Sequence, residues 1–226
     1  MQAARTGSEP TRRRGQLTRD RILAAALELV DRDGLDALTM RRLAEKLAVD
    51  PMSIYNHVPG KEALLDGLAE TLWAELELPV KEAAWRETMT ALARALRRLA
   101  QEHPQAYGLV LGRGVLPAPA LHALDRSLSA LESVGLERER AAEMIRTLIA
   151  YAAGYAMLEL SCPPPAGETE LEQLVTLTRA LPPAAPARLV DVARLMAQCD
   201  MDYQFDLGLE LILAGLKARL ASDIAE

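Results

Sequence analysis

Aromatic side chains are scarce in this chain, with two Trp, five Tyr and one Phe among 226 residues. So few exclude an aromatic-rich β-sandwich. The two cysteines, Cys162 and Cys199, cannot build a disulfide framework or a cysteine-based zinc site, and they are expected to be reduced thiols. With three histidines and no Cys/His metal spacing, neither a metal nor another cofactor is expected. An all-α enzyme also lacks its usual marks. There is no E-x-x-H pair for a di-iron bundle, and Gly60-Lys61 has no glycine five positions before Gly60 to make a phosphate loop. The longest apolar run, Leu148 to Leu158, is too short to cross a bilayer, and the N-terminal stretch carries no apolar leader. No membrane partner is expected, and the location read from these absences is cytoplasmic.

Half the residues are apolar, dominated by Ala and Leu, both strong helix formers, so the fold class is all-α with a sizeable core. The net charge of −6 hides a division. Up to Lys61 there are eleven Lys and Arg against eight Asp and Glu, a net of +3, whereas the remainder carries fifteen against twenty-four, a net of −9. Six of the arginines lie within residues 1–21, and Arg12, Arg13 and Arg14 are consecutive. Residues 1–16 therefore read as a flexible basic arm, either a solvated tail or a phosphate-binding element.

Helical spacing begins after Thr18, with Ile22, Leu23, Ala26, Leu27 and Val30 on one stripe, and Gly34 stops it as a residue able to take a left-handed conformation. A second helix follows Thr39, with Met40, Leu43, Ala44 and Leu47 on its apolar side. Asp50-Pro51 then places an acceptor at the N-cap and a pre-set φ at the first helical position, which starts a third. Each start has an apolar residue before the cap and another five positions on: Leu17/Ile22, Leu38/Leu43 and Val49/Ile54. These hydrophobic staples fix how the chain enters each helix, so residues 17–60 are predicted to be a compact three-helix domain. Residues 61–226 form a larger helical domain, beginning with a connecting helix over 61–78. Further helices are predicted over 82–102, 105–111, 117–134, 137–161, 187–198 and 203–221. The six prolines between Cys162 and Pro186 make 162–186 a loop region.

Residues 39–57, TMRRLAEKLAVDPMSIYNH, have the layout of a helix-turn-helix. Ile54 is predicted to point inward, which leaves Pro51, Met52, Ser53, Tyr55, Asn56 and His57 outside. These are neutral side chains suited to the hydrogen bonds and methyl contacts by which base edges are read, while Arg41, Arg42, Lys61 and the arm supply charge for phosphates. A generic helical hairpin would explain the staples but not this outward face.

The stretch LTRDRILAAALELVDRDGLDALTMRRLAEKLAVDPMSIYNHVPGKEALLD, residues 17–66, resembles the DNA-binding domain of the tetracycline-repressor family of transcriptional regulators. FDLGLELILAGLKARL, residues 205–220, resembles the last helix of the subgroup nearest the tetracycline repressor. The resemblance implies a repressor that acts as a homodimer on a palindromic double-stranded DNA operator and is released by a small-molecule effector. An activator or ligand-independent DNA binder of the same fold remains open. Carried over position by position, the DNA contacts are Thr39 and Arg41, then Pro51, Met52, Ser53, Tyr55, Asn56 and His57 on the recognition helix, with Lys61 gripping a phosphate. Such arms track phosphates or enter the minor groove, which gives Arg13 and Arg14 a role.

Aligned on Trp85 and His103, positions that contact tetracycline or magnesium in that repressor read here as Leu92, Leu96, Val110 and Arg113, with Glu77 in place of a contacting His and Ser127 in place of an amide. A site without its imidazole ligand and enriched in aliphatics is not suited to a magnesium–tetracycline chelate. The expected pocket is largely apolar, built by the fourth to eighth helices with Leu76, Leu131, Met144 and Leu148 added, and with His103, Arg113, Ser127 and Tyr151 as polar anchors. His103 also fits a plain helix C-terminal residue favoured by the dipole. For dimerisation, Tyr155 and Leu158 on one helix and Leu209, Ile212, Leu213 and Leu216 on the last belong to apolar surfaces wider than a solvent-facing helix should expose. The alternative is that both are central core helices of a monomer.

Overall fold

The computed structural model of the chain describes residues 16–79, 83–113, 116–161 and 200–223, with Pro186, Arg188, Leu189, Asp191, Val192 and Leu195. Arg13 and Arg14 with nearly all of the basic arm, the proline-rich region 162–186 up to Pro186, and most of the helix expected over 187–198 lie outside the described residues. Nine α-helices are described: α1 (Arg19–Asp33), α2 (Met40–Leu47), α3 (Pro51–Tyr55), α4 (Lys61–Ala74), α5 (Trp85–Glu102), α6 (Gly108–Gly112), α7 (Ala118–Glu132), α8 (Arg138–Ser161) and α9 (Met201–Asp223). No strand occurs among the described residues.

The chain divides into two compact units, Met1–Gly67 and Leu68–Glu226. The division falls inside α4, not at the expected 60/61, because the first turns of α4 belong to the small unit's core. Leu64 is completely buried there. A Cβ added at Gly67 would lie 2.6 Å from Leu23 Cδ2, so the absent side chain lets α4 close on α1.

In the first unit the starts of α1, α2 and α3 follow the predicted chemistry. Thr18 Oγ1 accepts from Arg21 N at 3.2 Å, Thr39 Oγ1 from Arg42 N at 3.2 Å, and Asp50 Oδ1 from Met52 N at 2.8 Å. The stapled residues Ile22, Leu38, Leu43 and Ile54 are fully buried together with Ala26 and Val30. Two local features were not foreseen. Gly34 has positive φ but extended ψ (84°, 164°), not the left-handed helical conformation, and it leads into a 3-10 turn over Leu35–Ala37. Ala48 sits at φ 54°, ψ 47°, where glycine is the favoured residue. The bonds Val49 N to Ala44 O (3.1 Å) and Ala48 N to Glu45 O (3.2 Å) are those of a Schellman stop, and they hold this non-glycine in place at the turn between α2 and α3.

The second unit is a helical assembly in which α5, α7 and α8 pack on one another and α9 lies against α5 and α8. α4 ends at Ala74, short of the predicted residue 78. The bonds Glu75 N to Leu72 O and Leu76 N to Trp73 O tighten its last turn to three-residue spacing before Pro79. α5 starts at Trp85, not at 82, and a turn over 104–107 precedes α6. The shared interior includes Met89, Leu92, Leu96, Leu131, Ile145, Leu148, Phe205 and Leu213, all at 2% exposure or less.

Candidate nucleic-acid interface and ligand-binding region

The third helix is one turn long, and Ile54 alone anchors it, completely buried. Every other position of its surface is available. Met52 is 67% and Tyr55 42% exposed; Pro51, Asn56 and His57 are exposed, and Ser53 is half-buried. The helix and the turn after it, which holds Asn56 and His57, thus form a platform of apolar contact, hydroxyl, amide and imidazole, with no Asp, Glu, Lys or Arg on it. Its pitch is fixed by the Asp50 cap at one end and by Val58, buried, whose N–H donates to Ile54 O at 2.9 Å at the other.

The neighbouring cations separate into two kinds. Arg42 is structural: its Nη2 lies 2.6 Å from Asp33 Oδ2 and its Nη1 donates to Ala37 O at 3.3 Å, tying α2 to the end of α1 and the 3-10 turn. Asp33 also takes a bidentate bond from Arg32, at 2.8 Å to each oxygen. Hydrogen bonding by Arg32, with the charges of Arg32 and Arg42, lowers its carboxyl to about 2. Arg41, by contrast, reaches only Glu45 among the described residues, at 3.0 Å, and both side chains are largely in solvent. An exposed pair of this kind is worth about 0–1 kcal/mol, so the guanidinium can leave it for a phosphate at little cost. Lys61, exposed at the first position of α4, makes no ion pair among the described residues. Thr39 uses its oxygen as the α2 cap and keeps its hydroxyl proton to donate. Thr39, Arg41, Lys61 and the exposed face of α3 all lie within the one small unit.

In the second unit, the residues expected to contact an effector fall into three groups. Leu92, Leu96, Val110, Leu131, Met144 and Leu148 are buried on α5, α6, α7 and α8. α5, α7 and α8 pack on one another, while Met144 also lines an open groove with Ile212 and Leu216 of α9.

The polar anchors are largely engaged by the protein itself. Ser127 is completely buried and its hydroxyl donates back to Ala123 O at 2.8 Å within α7. Tyr151 donates to Phe205 O at 2.8 Å and its ring stacks on that phenyl at a centroid distance of 5.6 Å. Burial raises the Tyr151 phenol. His103 Nε2 lies 2.9 Å from Glu75 Oε2, bridging the α5 C-terminus to the segment after α4. Glu102 lies beside them, with side-chain oxygen or nitrogen atoms of Glu75, Glu102 and His103 all within 4.8 Å of one another. Arg113 is half-buried and already engaged within the chain.

Leu76 stands apart from this interior. It lines an open groove of about 250 Å³ with Trp73, Leu78, Pro119, His122 and Arg126. Glu77, in place of the contacting histidine, reaches toward Arg98 at 3.8 Å.

The residues expected at a dimer contact differ in exposure. Leu209, Leu213 and Leu216 are buried at 2%, 0% and 7% exposure within the subunit itself, because with Phe205 and Leu220 they make the inward stripe of α9. Tyr155 donates to Met201 O at 2.8 Å and packs edge-on to Phe205. Leu158 is 55% exposed and Ile212 half-buried. The outward apolar residues that helical spacing could have identified are Met157 on α8 and Tyr203, Leu207 and Leu211 on α9, all at 43% exposure or more. Gly208 serves contact within the subunit: a Cβ there would meet the Tyr151 ring, 2.7 Å from Cζ.

One residue escaped sequence reasoning altogether. Arg97, on the otherwise apolar face of α5, is nearly buried. It makes two bonds of 2.8 Å to Glu159 and one of 2.7 Å to Asp202, with its guanidinium 4.9 Å from the Phe205 ring centre. It ties α5, α8 and α9 together.

Comparison with known proteins matches both units. Residues 22–68 match the family model described as bacterial regulatory proteins, tetR family, and residues 78–220 the one described as tetracyclin repressor-like, C-terminal domain. The class C tetracycline repressor protein of Escherichia coli is 30% identical over 93% of this chain and 96% of its own. An HTH-type transcriptional repressor, DrrR1 of Streptomyces coeruleorubidus, is 29% identical over 96% and 83%. Among solved structures, apo ActR of Streptomyces coelicolor aligns with a TM-score of 0.75 at 34% identity, covering 92% of this chain and 98% of that one, and ActR has also been solved in complex with actinorhodin.

Proposed function

The chain belongs to the tetR family of bacterial regulatory proteins, and from that premise we propose that it is a homodimeric transcriptional repressor, bound to a palindromic operator and released by a small, largely apolar effector. The observation that carries the reading is the exposed neutral face of α3 beside cations free to leave their partners. Pro51, Met52, Ser53, Tyr55, Asn56 and His57 read base edges in the major groove, while Thr39, Arg41 and Lys61 hold phosphates. Arg13 and Arg14 add non-specific attraction from the arm.

A homodimer places two such helices one helical turn of DNA apart, about 34–36 Å. The exposed apolar residues of α8 and α9, Leu158, Leu211 and their neighbours, are the surface a second copy would cover. The effector is taken up by the interior shared by α5 to α8. It acts by binding one orientation of α4 better than another, and only that differential affinity changes operator occupancy. Trp73, Leu72 and Leu76 near the end of α4 transmit the choice. The relatives support ligand binding, since ActR has been solved in complex with actinorhodin.

The test is footprinting on the DNA flanking the chain's own gene, with retardation measured at several salt concentrations. A symmetric protected site whose affinity falls steeply with salt supports the proposal. No salt-dependent retardation of any flanking fragment overturns it, and lower expression from the bound promoter on gene deletion would assign activation instead.

A further inference from the structure

Tyr107 is the largest side chain completely sealed from solvent, and its hydroxyl has no hydrogen-bond partner among the described residues. Buried tyrosines ordinarily find a partner for the hydroxyl, and an unpaired one destabilises the fold in a way that phenylalanine, of nearly the same shape, would not. The backbone at this position is satisfied: Tyr107 N–H donates to His103 O at 2.9 Å, and its carbonyl accepts from Val110 N at 3.0 Å. The open valence is therefore the phenol alone. Burial pushes that phenol up to about 12, so it stays protonated and remains a donor at physiological pH. Leu109 and Val110, which follow it in the chain, are buried too, and Val110 is one of the residues expected at the effector. The other polar groups expected at the effector are engaged within the chain: Ser127 with Ala123 O, Tyr151 with Phe205 O, and His103 with Glu75.

We infer that the Tyr107 hydroxyl is the hydrogen-bond donor for the effector, which presents a neutral carbonyl oxygen, ketone or quinone, on an otherwise apolar frame. This rests on the reading of the second unit as an effector-binding domain. An uncharged donor in an apolar interior favours a neutral acceptor, since a carboxylate buried there without a cation would be strongly penalised.

The test uses 9-fluorenone and fluorene, which share a frame and differ by one carbonyl, titrated by direct binding to the full-length wild type and to Tyr107→Phe. The expected result is about tenfold tighter binding of fluorenone by the wild type, a preference that vanishes in the variant, while the ligand-free variant melts at or above the wild-type temperature. Wild-type protein that binds neither probe, or shows no preference, overturns the inference. So does a variant that keeps the preference, or one that melts lower without ligand, which would reveal an acceptor inside the protein. Operator retardation by both ligand-free proteins is measured separately. Its failure would count against the regulator reading, not against the role of Tyr107.

Discussion

Replacing Arg97 with Met tests whether the polar hub in the second unit holds that unit together. Methionine keeps the stem and nearly the volume, so the change isolates the guanidinium. Removing one member of a fully buried ion pair costs about 3–5 kcal/mol, because the remaining charge is stranded. Here the arginine side chain is only 10% exposed, but Glu159 retains 21% and Asp202 84%. Both carboxylates can rehydrate, and the Asp202 contact adds little. The loss of the bidentate bond to Glu159 and of the cation–π contact with Phe205 then gives an expected destabilisation of about 2–3 kcal/mol.

For a unit of this size that is a fall in Tm of about 5–10 °C. Urea unfolding followed by tryptophan fluorescence reads the second unit selectively, since Trp73 and Trp85 both lie in it. Pairing the change with Glu159→Met in a double-mutant cycle should return a coupling of about 1–2 kcal/mol. The effect has a pH signature. Arg97, chiefly through its hydrogen bonds, lowers the Glu159 carboxyl from its ordinary value of 4.5. The pair's contribution is therefore complete above that value and disappears as pH falls through the lower folded value, and the gap between variant and wild type narrows in acid. A loss under about 0.5 kcal/mol at neutral pH with an unchanged denaturant slope, or a gap that widens in acid, would refute the assignment.

Asp50→Ala removes the α3 cap and should cost about 1 kcal/mol; hydrogen exchange at the Met52 amide must speed up, and unaltered protection there would show that the cap is not needed. Gly208→Ala forces a Cβ into the Tyr151 ring and should destabilise the second unit by about 1–3 kcal/mol, with a wild-type melting temperature counting against that close contact. The Asp33 carboxyl should titrate by NMR near 2 and rise in Arg32→Ala. Its stabilising effect is present above the ordinary aspartate range and is lost as pH falls through about 2, whereas a wild-type midpoint near 4 would mean the arginines do not engage it. Lys61→Ala should flatten the salt dependence of operator binding by the two phosphates a dimer would release there, about 1.8 in log–log slope; an unchanged slope removes Lys61 from the interface.

Local chemistry was legible in advance, and the small unit is almost entirely local chemistry. Thr18, Thr39 and Asp50 cap the helices that their positions announced. Ile54 is buried while Met52 and Tyr55 stand outside, as a short helix with one inward apolar residue must arrange them. Ala48 was not legible, because nothing in an alanine signals a left-handed turn; the hydrogen bonds that close the end of α2 hold it there. In the second unit, apolar spacing located the helices but not their partners. Leu209, Leu213 and Leu216 suited a dimer contact or a monomer core in pattern terms until α5 and α8 were seen to pack on α9, and nothing in the sequence singled out Arg97, on which two acids and a phenyl ring converge.

By itself, the sequence determined an all-α chain, its helix starts, the helix-turn-helix layout and the division of charge between +3 and −9, since capping, staples and periodicity act over a few residues. Tertiary structure alone decided which apolar stripe of α9 faces inward, which cations are held by the fold and which remain available to phosphate, and that the Tyr107 hydroxyl is sealed from water without a partner. Those outcomes depend on contacts between helices distant along the chain, where burial and pairing are properties of the neighbours and not of the residue.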